Sequence, residues 1–132
     1  MTEKDVEKSI IQWLQVNGFY CVKVQSGKLL ASYGGKQRMI NLAPQGTPDI
    51  LACINGKFCG IEVKKDAKTK HDWWRDVDAY ARKPSKAKER AYMQHEALER
   101  IDRGGGEGFL VCSVDDLEKQ LTKSEHDKTY TP

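Results

Sequence analysis

Two carboxylates and a lysine stand on either side of a short turn: Asp49 precedes it, and Glu62 and Lys64 follow it. Apolar runs flank Asn55-Gly56, a dipeptide that is typical of a two-residue hairpin turn. Such a turn places Asp49 opposite Glu62. Because side chains alternate along a strand, Lys64 shares a face with Glu62. The sequence therefore predicts two opposed carboxylates with a lysine beside them.

This set of groups could support one particular chemistry. Opposed carboxylates repel each other and weaken a hairpin. A bound divalent cation removes that penalty, and the lysine adds a fixed positive charge, so the three groups could carry out metal-assisted hydrolysis of a phosphodiester. The alternative is an exposed hairpin with ordinary surface charges. Both strands are nearly all apolar on both faces, however, which predicts a sheet covered on two sides. A charged side chain inside such a sheet is costly unless it has a partner or a function.

The segments around the hairpin predict a mixed α/β sheet sandwiched by helices. In chain order we expect a helix over 2–18, a strand over 19–24, an excursion over 25–44 that contains a hairpin, the central hairpin, a short helix from Trp73 to Tyr80, a helix over 85–103, a strand over 109–114 and a helix ending near Leu121. We expect one domain over residues 1–121 and a flexible polar tail over 122–132.

Two polar residues lie on apolar helix faces. Glu7 belongs to the buried stripe of the first helix, and Gln94 to that of the long helix. Glu7 is either a third carboxylate delivered to the sheet or a glutamate at the stripe edge that reaches water. Gln94 needs hydrogen-bond partners if it is buried, and backbone groups, a catalytic carboxylate or a phosphate could supply them.

Positive charge is concentrated after the hairpin. Residues 64–90 contain ten Lys/Arg and five Asp/Glu, a balance of +5, so the rest of the chain carries −2 of the net +3. A basic zone beside the carboxylates suits a polyanion, although a solvated charged helix gives the same pattern. Candidate contacts are Lys65, Lys68 and Lys70 in this zone and Lys28, Lys36 and Arg38 in the 25–44 excursion.

The remaining signals concern aromatic residues and compartment. Trp73 and Trp74 could stack on nucleic acid bases, or could belong to the core or to a dimer interface. Four cysteines lie in apolar runs without a Cys-x-x-Cys pair, which predicts buried free thiols in a reducing compartment. With no signal peptide pattern and no transmembrane run, we expect a cytoplasmic protein that does not bind membranes.

The string Gly46-Thr47-Pro48-Asp49-Ile50, followed by Gly60-Ile61-Glu62-Val63-Lys64, resembles the PD-(D/E)XK nuclease superfamily and, within it, the virus-type replication-repair nuclease (VRR-NUC) family. The resemblance covers residues 3–121 and includes a first helix with Glu7 and a later helix with Gln94. It implies a restriction-endonuclease-like fold, a mixed β-sheet flanked by helices. One departure is the long segment between Lys64 and Gln94.

The resemblance and the chemistry imply the same site. Asp49 and Glu62 would hold one or two Mg²⁺ ions with the Val63 backbone carbonyl, and Mn²⁺ should substitute. Glu7 would act through a water or a second ion. Lys64 would orient or deprotonate the attacking water or stabilise the phosphate, and Gln94 would position Lys64 or the phosphate.

The resemblance also implies a biological setting. Small single-domain members look like homodimeric resolvases of four-way (Holliday) DNA junctions from phages, which leave 5′-phosphate and 3′-hydroxyl ends. The expected partners are therefore branched DNA and a second copy of the chain, in the host cytoplasm if the protein is phage-encoded. The alternatives are a sequence-specific or flap-type endonuclease of the same fold and a non-catalytic DNA-binding module.

Overall fold

Helices cover both faces of a four-stranded mixed sheet, and a two-stranded hairpin forms a second, separate sheet. A computed structural model describes residues 1–25 and 28–129. Its elements are α1 (Glu3–Val16), β1 (Cys21–Lys23), β2 (Lys28–Tyr33), β3 (Lys36–Asn41), β4 (Ile50–Ile54), β5 (Lys57–Val63), α2 (Ala67–Ala79), α3 (Lys86–Arg103), β6 (Glu107–Val111) and α4 (Val114–Thr129). The predicted mixed α/β class is confirmed.

The main sheet has the strand order β1-β4-β5-β6. Strand β4 pairs antiparallel with β1 and β5, whereas β6 runs parallel to β5. The predicted central hairpin is confirmed with its register, because Ile54 pairs with Lys57 and Ile50 with Ile61. Asn55 and Gly56 have φ values of 51° and 81°, as a two-residue turn of this kind requires. The register brings Asp49, one residue beyond the last pair, towards Glu62.

Apolar side chains cover the two faces of the sheet unequally. On one face, α1 and α4 pack on the larger core, which contains Val6, Ile10, Leu14, Ile50, Ala52, Ile54, Cys59, Ile61, Val63, Phe109, Val111 and Leu117. On the other face, α3 lies on β5 and β6 with α2 outside it, around a smaller core of Trp73, Ala91, Leu98 and Leu110. Strand β5 is therefore covered on both faces.

Helix α1 begins and ends where its sequence predicts. The Thr2 hydroxyl accepts a hydrogen bond from the Asp5 backbone N–H, and the Asp5 carboxylate accepts one from the Thr2 N–H, which is a complete capping box. Gly18, with φ of 78°, follows the Asn17 cap. The capped helix turns Glu7 towards the protein interior, where it is 8% exposed.

The structure differs from the predicted helix bounds in two places. Helix α2 begins at Ala67, well before Trp73, because the Asp66 carboxylate caps it by accepting from the Thr69 backbone N–H. Helix α4 continues past Leu121 to Thr129. The predicted end of this helix near Leu121 is therefore wrong, since no glycine or proline interrupts the stretch that follows. The flexible tail predicted from residue 122 stays a prediction, and residues 130–132 lie outside the described residues.

The structure also bears on the cysteines and on the character of the helices. None of the four cysteines forms a disulfide, but only Cys59 is buried, and the predicted burial is wrong for Cys53, which is exposed. Cys53 lies on the sheet face whose smaller core does not extend to it. None of the helices in residues 1–25 and 28–129 has the length and apolar character needed to cross a membrane.

Two glycines let α3 lie close to the sheet. A Cβ atom on Gly60 would lie 2.5 Å from Ile101 Cδ1 and 2.8 Å from Pro48 Cγ. A Cβ atom on Gly108 would lie 2.7 Å from the backbone oxygen of Leu98. Because backbone cannot move aside as a side chain can, the contact at Gly108 fixes the spacing between α3 and β6.

We expect Gly108→Ala to lower the free energy of unfolding by about 1–3 kcal/mol, because the added methyl group overpacks the contact with α3. Urea denaturation measures the change. Gly104→Ala is the matched control, since its nearest contact would be 3.3 Å away at the end of α3. Equal stability of the two variants would contradict this account of the packing.

Candidate active site

Asp49 is held in place through both its side chain and its backbone. Its Oδ2 accepts a hydrogen bond from the Val63 backbone N–H at 2.8 Å. Its backbone carbonyl accepts one from the Val24 N–H, also at 2.8 Å. Asp49 therefore links the start of β4 to the end of β5. These two hydrogen bonds fix the position of its carboxylate and so the direction of the other carboxylate oxygen.

Glu62 is a carboxylate buried inside the sheet. It lies on β5 between β4 and β6, is 2% exposed, and its Oε2 has no hydrogen-bond partner among the described residues. Burial, and then the negative charge of the nearby Asp49, raise the pKa of Glu62 from 4.5 to about 9. The nearby Lys64 ammonium lowers this pKa only in part, so the carboxyl group is neutral at pH 7 unless a further positive charge binds beside it.

Lys64 brings a positive charge to this pair. Its Nζ lies 3.9 Å from Glu62 Oε1 and donates a hydrogen bond to Gln94 Oε1 at 3.4 Å. Its backbone N–H donates to the Val111 carbonyl at 2.8 Å, so the chain is still tied to β6 at this point. The lysine side chain is only 13% exposed, which limits its freedom to turn towards water.

A tryptophan fixes the amide that holds Lys64. Trp73 Nε1 donates a hydrogen bond to the same Gln94 Oε1, at 2.7 Å. With two donors directed at one oxygen, the Gln94 amide is oriented with its oxygen towards Lys64. Trp73 is itself 4% exposed and packs against the neighbouring Trp74 and His95 rings. Gln94 thus lies beside Lys64, its role in positioning the lysine or a phosphate stays a prediction, and its hydrogen bond from Trp73 was not foreseen.

Helix α1 brings two glutamates to the other side of the site. Glu7 Oε1 lies 3.5 Å from Lys23 Nζ and has no hydrogen bond among the described residues. Glu3, one turn earlier, is largely exposed, yet partial burial of its carboxyl group raises its pKa, with charges of Lys64, Asp49 and Glu7 close by. The sequence interpretation missed Glu3, although its spacing of four from Glu7 puts both on one helix face.

The donor groups present suit a hard divalent cation. No cluster of three or more His, Cys, Asp or Glu residues able to hold a metal occurs in the described part of the chain. The predicted set differs from such a cluster, because it combines the carboxylates of Asp49 and Glu62 with the Val63 backbone carbonyl, places Glu7 behind a water, and leaves other positions to water, as Mg²⁺ prefers. A cation bound there would contact the Glu62 oxygen that has no hydrogen-bond partner among the described residues and would favour the ionised form of that group.

Cavities lie on both sides of α3, and they differ in character. A cavity of about 180 Å³ between α2 and α3 has Lys64, Trp73 and Gln94 in its wall, so it reaches the lysine from the helical side. A larger cavity of about 410 Å³ is mostly apolar and is lined partly by Phe58 and Tyr92. Asp49, Glu62 and Lys64 do not line that larger cavity, and of these three residues only Lys64 lines the smaller one.

The basic residues predicted to contact a polyanion lie in different environments. Lys70 Nζ donates to Asp116 Oδ2 at 2.6 Å, and this hydrogen bond helps to lower the pKa of the Asp116 carboxyl against the opposing effect of burial. Lys68 pairs with Asp72 at 3.4 Å on the surface of α2. The other four candidates are Lys65, Lys36 and Arg38, which are exposed, and Lys28, whose side chain lies outside the described residues.

Comparisons with known proteins leave the site to be interpreted from its own geometry: no family model, no curated protein and no solved structure matches this chain. The resemblance to the VRR-NUC family therefore remains a prediction from the two short strings around Asp49 and Glu62. The positions, contacts and burial of the described side chains are what any proposed function must explain.

The raised pKa of Glu62 makes stability depend on pH. The folded protein keeps a proton that the unfolded chain loses above pH 4.5, so the stabilisation is complete below that pH and is lost as the pH rises towards about 9. We expect the free energy of unfolding, measured with urea in EDTA, to fall over this interval. Glu62→Gln should remove most of the fall, and Mg²⁺ should reduce it in the unaltered protein.

The control is Glu118→Gln, which replaces an exposed carboxylate on α4 and should leave the pH dependence of stability unchanged. If Glu62→Gln and Glu118→Gln give the same pH profile as the unaltered protein, Glu62 does not carry the proton.

Proposed function

We propose that this protein is a Mg²⁺-dependent, structure-specific DNA endonuclease with a restriction-endonuclease-like fold, and that it resolves four-way DNA junctions during replication, recombination or repair. The observation that supports this proposal most directly is the buried Glu62 carboxylate beside Asp49 and Lys64, whose Oε2 has no hydrogen-bond partner among the described residues. A protein that only bound DNA would gain nothing from two opposed carboxylates inside a sheet, because they repel each other and lose their hydration.

In the proposed reaction the two carboxylates would hold the cation, with the Val63 backbone carbonyl as a third protein ligand. When bound, the cation would lower the pKa of a water and neutralise charge on the scissile phosphate. It would also stabilise the ionised form of Glu62, which burial otherwise disfavours. The hydrogen bond from Val63 to Asp49 keeps that carboxylate in place before any ligand arrives.

Lys64 would stabilise the negative charge that develops on the phosphate, or would orient the attacking water. Its Nζ is held between Glu62 and Gln94, so it need not be reorganised during the reaction, which is the condition under which such a charge is most effective. Glu7 would hold a water on the α1 side of the site, where its Oε1 is buried without a hydrogen bond in the described structure.

In this proposal the preference for four-way junctions requires a dimer. A four-way junction has two-fold symmetry, so two strands must be cut by two equivalent sites. A homodimer with a two-fold axis supplies them. The matched pair of cuts would require each 15.0 kDa chain to contribute one complete set of Asp49, Glu62 and Lys64.

Asp49→Asn and Lys64→Ala should each reduce the cleavage rate on the order of 10³-fold or more, because each removes a group that stabilises charge in the transition state. Cleavage of a labelled four-way junction in Mg²⁺ is compared with that of linear duplex, flap and single-stranded DNA. Paired symmetric nicks in the junction, with duplex spared, are expected from the unaltered protein.

Glu118→Gln and Lys119→Ala are the matched controls, because they make similar changes at exposed positions of α4. Cleavage of flaps or of a defined duplex sequence would keep the chemistry and exclude the junction preference. DNA binding in EDTA without cleavage in Mg²⁺ or Mn²⁺ would show a non-catalytic DNA-binding module instead.

Trp73 is a positioning residue in this proposal, because it acts through the Gln94 amide. Trp73→Phe keeps a ring in the core but removes the N–H donor, which frees the amide to turn its NH₂ group towards the Lys64 ammonium. We expect kcat to fall roughly 10- to 100-fold with KM unchanged. Trp74→Phe, at a ring that is 46% exposed, is the control. A rise in KM alone would indicate a substrate contact rather than positioning.

A further inference from the structure

The two-stranded hairpin of β2 and β3, here called the arm (residues 28–41), lacks a packing partner. Its strands pair with each other, and neither packs substantially against another helix or strand of the described chain. A two-stranded hairpin alone is at best marginally stable in water, because it has no second layer on which to bury its side chains. The arm is therefore a surface from which a partner is missing.

Exposed apolar side chains lie on both faces of the arm, and the two basic residues of β3 share one of these faces. Leu30 and Met39 are a directly opposed pair on one face, and they are 57% and 61% exposed. Alternation along β3 puts Lys36 and Arg38 together on the opposite face, which they share with Ile40, an apolar residue that is 45% exposed. The cross-strand partner of Arg38 is Ala31, whose side chain is small. Both basic residues are exposed.

The charged residues of the arm and of the segments beside it are all basic. Residues 24–48 contain three Lys/Arg and no Asp/Glu, which gives +3, as much as the net charge of the whole chain. No acidic neighbour within that stretch can neutralise Lys36 or Arg38. A polyanion is therefore the complementary partner, since it gains from the unpaired charges and releases its own counterions on binding.

The base of the arm adjoins the candidate active site. The Ala43 backbone N–H donates to the Gln25 carbonyl at 3.0 Å, which closes the base. The adjacent Val24 N–H donates to the Asp49 carbonyl at 2.8 Å, so the base is hydrogen-bonded to the residue that holds one of the two site carboxylates. A ligand held along the arm would thus lead towards Asp49.

We propose that the arm is a DNA-gripping β-ribbon whose Lys36 and Arg38 face lies along the phosphate backbone of a duplex leading into the Asp49 site. A two-stranded ribbon is narrow enough to follow or enter the major groove of DNA. The DNA would cover the face of the arm that carries Lys36 and Arg38. The identity of the polyanion as DNA rests on the proposed function, whereas the gripping role rests on the exposure, charge and position of the arm.

The test removes the two charges without altering the fold. Lys36→Gln with Arg38→Gln, made in the full chain, is compared with Lys119→Gln plus Lys123→Gln, which removes the same charge from exposed positions of α4. The dissociation constant for a four-way junction is measured in EDTA at several salt concentrations. The slope of log Kd against log salt should be smaller by about 0.9 for each lost phosphate contact, about two units in all, and the α4 variant should keep the original slope.

The outcomes separate this inference from the proposed nuclease activity. A smaller slope in the arm variant supports the gripping role even if the unaltered protein never cuts DNA, and in that case only the nuclease proposal fails. Equal slopes in the arm variant and the unaltered protein overturn the inference, even if cleavage is normal. If Leu30→Thr with Met39→Thr converts a dimer to a monomer in sedimentation while the charge variant binds DNA normally, the occupant is a second copy and the inference is overturned.

Discussion

The burial of a carboxylate opposite another carboxylate is the constraint on which the site depends. Glu62 is 2% exposed on a strand that has neighbours on both sides, and Asp49 approaches it from the next strand. A buried charge without a partner is costly, so the protein lowers the cost by keeping a proton on Glu62, which is why its pKa rises to about 9. In the proposed function a cation would replace this proton. A stability cost without the cation and affinity for a divalent ion would then be two consequences of one arrangement.

Helices α2 and α3 support this arrangement of charged side chains. Gly60 and Gly108 allow α3 to approach the sheet, and the approach brings Gln94 within hydrogen-bond distance of Lys64. Helix α2 then packs outside α3 and places the Trp73 N–H on the same glutamine oxygen. The long segment between Lys64 and Gln94, which a compact nuclease of the resembled family would not need, thus has a structural explanation. It carries the residue that orients the amide beside the lysine.

Local signals predicted well wherever a few neighbouring residues decide the conformation. Asn55-Gly56 determined a turn and therefore the whole register of β4 and β5, because a two-residue turn leaves no freedom in the pairing. The Thr2 capping box determined the start of α1 and hence the inward direction of Glu7. Asp66 is a cap of the same local kind, so the start of α2 at Ala67 is also encoded by neighbouring residues, although the predicted helix began only at Trp73. The exposure of Cys53 was not readable, because an apolar strand looks the same whether or not a helix covers it.

The sequence by itself determined the chemistry available to this protein: the types and spacing of Asp49, Glu62 and Lys64, and the turn that brings them together. These features depend on contacts between residues that are close along the chain, where propensity and alternation act directly. Only the tertiary structure decided which groups surround them. Glu3, Trp73 and Gln94 reach the site from three helices, and β2 and β3 pair away from the main sheet. Such contacts join distant segments, and their formation depends on packing and burial in the whole fold rather than on any local pattern.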